Sequence, residues 1–141
     1  MPMEGLGRLF NYVAAASGIH IPLNKASGVT FFAFLDAGTQ TITLKESIDG
    51  NSEQALTIVT KVYKGPGVGG TWTKVTQAAA DNFNLTTDAT NDCVALYVSA
   101  SQLSAGFNCV EATVGSGTCA AVIHDLSVQR APERLAPSVD V

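Results

Sequence analysis

The sequence predicts a mainly β protein, a β-sandwich or jelly-roll-like single domain with about eight short strands and one short helix. Short segments of strand-like composition recur at a spacing of roughly ten residues, separated by Gly, Asn and Asp turns. A chain of 141 residues is long enough to bury a core of its own. We place the β-sandwich domain at residues 8–130, between a flexible N-terminal arm at 1–7 and an extended C-terminal arm at 131–141.

Three consecutive segments near the C-terminus form the predicted centre of the domain: residues 92–103, 107–114 and 119–130. The first is apolar on both faces, with Cys93, Ala95 and Tyr97 alternating with other apolar residues. Such a strand is covered on both sides and lies inside a sheet. The second alternates cleanly and places Val110 and Ala112 on one face. The third begins deeply buried and ends half exposed.

The N-terminal half contains one predicted hairpin. Residues 8–16 are compatible with a strand that directs Phe10, Tyr12 and Ala14 inward, and the Gly- and Pro-containing residues 17–28 predict a long loop. Residues 29–36 are aromatic and β-branched, and residues 40–47 alternate. The turn at 36–39 between them predicts that these two strands pair with each other.

The predicted helix covers residues 51–65. Leu56, Val59 and Tyr63 share one face at helical spacing, and Asn51 or Ser52 can cap the N-terminus. The β-branched run at 57–60 favours a strand instead. Two further strands follow at 71–77 and 81–87, the second with Phe83 and Leu85 directed inward.

The composition narrows the classes of partner. Only 14% of residues are charged, against about 25% in typical soluble chains, and such a surface suits a protein that packs against copies or partners. No Lys or Arg occurs between Lys74 and Arg130, so we expect no direct contact with nucleic acid. The N-terminus does not resemble a signal peptide, and no apolar run is long enough to span a membrane. We therefore expect a soluble protein made in a cytoplasm.

No residue pattern predicts catalysis, a cofactor or a metal ion. The glycine-rich segment 65–71 lacks the lysine that a phosphate-binding loop needs. His124 falls on an apolar strand face, which predicts a core histidine with satisfied hydrogen bonds. The three cysteines, an odd number without CxxC spacing, predict buried, inert thiols. Asp88 and Asp92 flank a turn, and a structural role is favoured over a weak cation site.

Three stretches resemble a known family: TWTKVTQAA (71–79), VALYVSASQLSAGFNCVEATV (94–114) and VIHDLSVQRAPERL (122–135). They are similar to small minor capsid or head decoration proteins of tailed bacteriophages. In that group, a W-x-[KR]-V-T-Q strand precedes an apolar strand containing Y-V. A final I-x-H-D-L-x-V-Q-R segment leads into a short proline-bearing tail. The resemblance covers the C-terminal half well and the N-terminal half only in part.

The resemblance implies a structural virion protein without enzymatic activity, which binds the outside of a phage head and stabilises it. Its expected partners are the major capsid protein lattice and copies of itself, with a trimer favoured. The two arms suit lattice binding, and the residues expected to make contacts are Arg8, Phe10, Arg130, Arg134 and Leu135. Alternatives are a phage tail or head-tail connector protein, a carbohydrate-binding β-sandwich module, or a small hydrolase using His124 with a cysteine.

Overall fold

The computed structural model describes residues 12–66 and 69–125, together with the backbone of residues 139–140. These residues form twelve strands and one short 3-10 helix at Ala100–Gln102. The mainly β prediction is confirmed, with more strands than the eight expected. The strands are β1 (Tyr12–Ala14), β2 (Ile19–Pro22), β3 (Gly28–Leu35), β4 (Thr39–Ile48), β5 (Asn51–Ala55), β6 (Val59–Gly65), β7 (Thr73–Ala80), β8 (Asn82–Thr86), β9 (Cys93–Ser99), β10 (Cys109–Val114), β11 (Gly117–His124) and β12 (Val139–Asp140).

The strands form two antiparallel sheets of six strands each. In the first sheet the order is β1-β11-β3-β9-β6-β7. In the second it is β12-β2-β10-β4-β5, and β8 pairs with the first half of β4, beyond the part that β5 contacts. The two sheets enclose one apolar core, which is the arrangement of a β-sandwich.

Alternation along the strands determines which residues enter the core. Val110 and Ala112 on β10 are completely buried, as the sequence predicts. Phe83 and Leu85 on β8 also face inward and are 7% and 4% exposed. On β3 the buried set is Val29, Phe31, Ala33 and Leu35.

The predicted hairpin between residues 29–36 and 40–47 is wrong, although both strands exist. β3 pairs with β11 and β9 in the first sheet, whereas β4 pairs with β10, β5 and β8 in the second. The turn after Leu35 therefore passes from one sheet to the other. A tight turn between two strands is compatible with both outcomes, and the partners of each strand decide between them.

The predicted helix at 51–65 is also wrong, because this segment contains the whole of β5 and of β6. A register shift between Val59 and Lys61 disturbs the pairing of β6 with β7. Such an irregularity interrupts the two-residue alternation, so the fully buried residues of β6 include Val59 and Val62, three positions apart. This spacing imitates one face of a helix.

The turn that begins β5 explains how the chain enters this region. Asp49 and Gly50 form a two-residue connection between the paired residues Ile48 and Asn51, and both have positive φ, 51° and 85°. Asp-Gly at these positions is typical of a hairpin whose turn requires two left-handed residues. Residues 49–53 thus form a β-hairpin turn and not the start of a helix.

Two further strand predictions need correction in the N-terminal half. β2 lies within the segment 17–28 predicted as a loop. On β1, Val13 packs against the core, while Tyr12 is 62% exposed and Ala14 is also exposed, so the predicted inward direction of Tyr12 and Ala14 is reversed.

The predicted arms fall mostly outside the described residues. The arm at 1–7 lies wholly outside them, as does most of 131–141. The described part of the second arm is β12, whose residues Val139 and Asp140 pair with His20 and Ile19 of β2. This strand adds to the edge of the second sheet.

Candidate functional site

The outward surface of the first sheet carries a row of exposed aromatic side chains. Because β3, β9 and β11 are paired in register, residues of one parity share this surface: Phe34 lies opposite Thr118 and Cys93, and Phe32 opposite Ala120 and Ala95. We define the aromatic face as Tyr12, Phe32, Phe34, Tyr63 and Tyr97. Its side chains come from four strands, and it extends across five of the six, from Tyr12 on β1 to Tyr63 on β6.

Exposure shows how open this face is. Tyr12, Phe34, Tyr97 and Tyr63 are 62%, 53%, 50% and 41% exposed, and among the described residues only Ile48 and Trp72 are other large hydrophobic side chains of comparable exposure. Alanines at positions 14, 95 and 120 lie between the aromatic rings and add no bulk. The result is a broad apolar surface, which soluble proteins rarely leave exposed without a binding role.

Trp72 extends the aromatic face beyond β6. A methyl group added at Gly65, the outward-facing neighbour of Tyr63, would lie 3.2 Å from the Trp72 indole carbon Cδ2. The indole therefore covers the end of β6 on the same side of the sheet. Trp72 is 37% exposed, so part of the indole is open to a partner on this side of the sheet.

A groove opens in this face where β6 and β9 separate. Their pairing ends at Tyr63 and Ala95, so Lys61 and Tyr97 face each other without forming a strand pair. The groove has a volume of about 520 Å³, and its lining includes Thr30, Thr60, Lys61, Tyr63, Tyr97 and Gln102. Two tyrosines beside hydroxyl, amide and ammonium groups can stack against a ring and bond to its polar substituents.

His124 lies on the same surface, beside the aromatic face. Its Nε2 is 2.7 Å from the Thr30 hydroxyl, and its ring centroid is 5.8 Å from that of Tyr97. The side chain is half-buried and hydrogen-bonded, so the prediction of a satisfied histidine holds while its placement in the core is wrong. Asp125 bonds instead with Ser27, at 2.7 Å, and is not the partner of His124.

A second polar cluster, which the sequence analysis missed, joins strands of the second sheet. His20 Nε2 lies 3.3 Å from Glu53 Oε1 and 3.7 Å from Glu111 Oε2. His20 and Glu111 are 1% and 2% exposed. No local pattern indicates this cluster, because His20 falls in the predicted loop and is 91 positions from Glu111.

Glu46 is a further buried carboxylate that alternation alone assigns to the core face of β4. It accepts hydrogen bonds from the Ser104 backbone N–H at 2.8 Å, from the Ser104 hydroxyl and from the Gln54 amide at 2.6 Å. Burial favours the neutral acid, but these donors outweigh it and hold the pKa of Glu46 below its usual value. Glu46 therefore fastens the loop after the 3-10 helix to β4 and β5.

The turn at 88–92 has the structural role that the sequence predicts. The Asp88 carboxylate accepts from the Thr90 backbone N–H at 2.8 Å and from the Thr90 hydroxyl at 3.0 Å. These two bonds lower the pKa of Asp88. The carboxylate is thus occupied within its own turn.

The three cysteines are buried free thiols. Burial raises the pKa of Cys93 and of Cys119 to about 11, and that of Cys109 is raised for the same reason. The prediction of inert thiols agrees with this environment, because the thiolate is the reactive form. A catalytic pair of His124 with a cysteine finds no support in the hydrogen bonds of His124.

The predicted contact residues Arg8, Phe10, Arg130, Arg134 and Leu135 all lie outside the described residues. Within the described part of the chain, no helix is long and apolar enough to cross a membrane. Comparisons with protein-family models, with curated proteins and with solved structures found no match.

Proposed function

We propose that this chain is a structural virion protein that binds the outer surface of a phage head and stabilises it, without enzymatic activity. The observation that supports this function best is the aromatic face. It is a broad, largely apolar surface on a six-stranded sheet, which is the form of surface that docks onto another protein. The resemblance in residues 71–79, 94–114 and 122–135 supplies the class of partner, the major capsid protein lattice.

The size of the face suits a protein partner. The strands of the first sheet are three to eight residues long. At about 3.3 Å per residue and about 4.8 Å between strands, they cover roughly 650 Å² in plan. One partner in a stable interface contributes about 800 Å² of accessible surface. The face thus supplies most of what a docking protein needs. Tyrosine is also among the residues enriched at the energetic centres of interfaces.

The charges around the face indicate the chemistry of the partner. Lys61 and Lys74 lie on its β6–β7 side and are exposed, and both share the outward parity of Tyr63. A partner that offers an apolar patch bordered by carboxylates would complement this arrangement. Copies of the chain are a second expected partner, with a trimer formed at a local symmetry axis of the head.

Co-sedimentation with undecorated heads of the phage that encodes this chain tests the proposal. We expect saturable binding at a fixed, small number of copies per major capsid subunit, and heads that resist heating better after binding. A folded, monodisperse protein that stays in the supernatant at all concentrations would contradict the proposal.

The groove between β6 and β9 favours a second candidate function, a carbohydrate-binding module. Tyr63 and Tyr97 flank it, and Thr30, Lys61 and Gln102 offer polar groups. Titration with solubilised bacterial cell-wall polysaccharide, followed by Trp72 fluorescence, tests this function. A saturable shift that Tyr97→Ala abolishes would favour it over lattice binding.

A further inference from the structure

We propose that His20, Glu53 and Glu111 form a binding site for Zn²⁺ on the second sheet. The three residues come from β2, β5 and β10, and each offers one ligand atom, all within 4.8 Å of one another. This site is separate from the aromatic face and goes beyond the proposed function. No residue pattern in the sequence predicts a metal ion at this position.

The distances from the imidazole to the two carboxylates match a tetrahedral metal site. With ligands about 2.0–2.1 Å from the ion, neighbouring ligand atoms of a tetrahedron are about 3.3 Å apart. His20 Nε2 is 3.3 Å from Glu53 Oε1 and 3.7 Å from Glu111 Oε2. The Glu53 side chain is 37% exposed, so it is free to adjust its position as an ion binds.

Groups around the cluster hold each ligand in an orientation that leaves a lone pair for the ion. The Ser47 hydroxyl is 3.2 Å from His20 Nδ1, so an imidazole bound through Nε2 donates its Nδ1–H to Ser47. The Gly18 backbone N–H donates to Glu111 Oε2 at 2.9 Å. Lys45 Nζ is 3.4 Å from Glu53 Oε2 and leaves Oε1 directed at His20.

The donor set selects the class of metal. One imidazole nitrogen with two carboxylate oxygens suits Zn²⁺, whereas Ca²⁺ and Mg²⁺ prefer six or more oxygen ligands. Three protein ligands leave one tetrahedral position for solvent or another group. Burial adds to the case at one ligand, since the Glu111 carboxylate is 2% exposed and a buried carboxylate needs a compensating positive charge. A bound ion would also tie β2, β5 and β10 together and stabilise the second sheet.

Metal titration of the full chain, first freed of metal with a chelator, tests the site. We expect calorimetry to show one Zn²⁺ per chain and the melting temperature to rise by several degrees with saturating Zn²⁺. Replacement by Co²⁺ should give the visible absorption of a tetrahedral site without sulfur-to-cobalt charge transfer.

Two variants test proposed ligands, and a third is their control. Glu53→Gln changes a partly exposed residue, keeps its size and should abolish the Zn²⁺-dependent rise in melting temperature while the protein stays folded. His20→Gln should do the same, and His124→Gln, which alters the other histidine of the chain, should leave the rise intact. The proposal is overturned if Zn²⁺ gives no rise, if Glu53→Gln retains it, or if Co²⁺ reports sulfur ligands. The cluster would then be a polar contact of His20 with the two glutamates that holds β2, β5 and β10 together without a metal ion.

Discussion

Phe31 and Phe34 leave the same strand on opposite faces of the first sheet. Phe31 is completely buried between the two sheets, whereas Phe34 is 53% exposed on the aromatic face. Because side chains alternate along β3, three positions separate a core residue from a surface residue. The aromatic composition of β3 therefore serves two purposes, the core on one side and an open surface on the other.

Replacing Phe31 and Phe34 one at a time compares the contributions of the buried ring and of the exposed ring to stability. Phe31→Ala should lower the free energy of unfolding by about 3–5 kcal/mol, because it removes buried apolar surface and leaves a cavity. Phe34→Ala should change it by less than about 1 kcal/mol, since the ring is half in solvent. Urea unfolding, followed by the fluorescence of the single tryptophan, measures both. Similar losses for the two variants would mean that the face is covered in solution.

The strands themselves were largely predictable from the sequence, because alternation and turn residues mark them locally. Val110, Ala112, Phe83 and Leu85 were assigned to the core from alternation alone. The helix at 51–65 was mispredicted because the register shift after Val59 gives a strand the spacing of a helix. At that point pairing between strands, which is not local, overrides the local pattern.

The aromatic face and the cluster of His20 with Glu111 could not be predicted, because both depend on pairing between strands that are far apart in the sequence. The apolar character of Tyr12 predicts that its side chain faces the core. Instead, the side chain is 62% exposed and lies on the aromatic face. The face becomes visible only when Tyr12, Phe34, Tyr63 and Tyr97 are aligned by the registers of four strands. In the same way, His20 and Glu111 meet only through the pairing of β2 with β10.

Glu46 makes the fold sensitive to acid. Its pKa is lowered in the folded protein, so its ionised form contributes stability that is complete above the ordinary glutamate pKa of about 4.3. That contribution is lost as the pH falls through the lower folded value. Glu46→Gln should cost about 1–3 kcal/mol at neutral pH, because an amide cannot accept all three hydrogen bonds. It should also weaken the loss of stability in acid, measured by urea unfolding between neutral pH and pH 3.

Asp36→Asn is the comparison for this experiment, since Asp36 is an exposed carboxylate on the turn after β3 that accepts a hydrogen bond from the Ser116 hydroxyl. Its replacement should cost less stability at neutral pH than that of Glu46, which is buried and accepts three hydrogen bonds. Equal acid sensitivity of the unmodified protein and Glu46→Gln would assign the effect to other carboxylates.

The buried thiols should resist modification until the protein unfolds. With the pKa of Cys93 and Cys119 at about 11, little thiolate forms at pH 8, and burial also excludes the reagent. We expect Ellman's reagent to detect no fast-reacting thiol in the native protein and three in denaturant. Rapid reaction of one native thiol would show that its strand opens readily, and Cys→Ser variants would identify it.

Binding to the head should depend on the aromatic face and not on exposed apolar residues in general. Phe34→Ser removes the most exposed ring on β3, and we expect at least a tenfold loss of affinity in co-sedimentation, since an aromatic anchor of an interface is worth about 2 kcal/mol or more. Ile48→Ser is the matched control, because Ile48 is 40% exposed on the second sheet and should bind normally.

The charge at the edge of the face should act mainly on the rate of association. Lys74→Glu reverses a charge beside Tyr63 without touching the core, so its melting temperature should not change. If the partner offers carboxylates there, this variant should associate more slowly, and raising the salt concentration should narrow the difference from the unmodified protein. The assignment of the contact surface to the first sheet is contradicted if Phe34→Ser and Ile48→Ser lose binding equally and Lys74→Glu has no effect. The predicted contact residues Arg8, Phe10, Arg130, Arg134 and Leu135 would then be the next positions to replace.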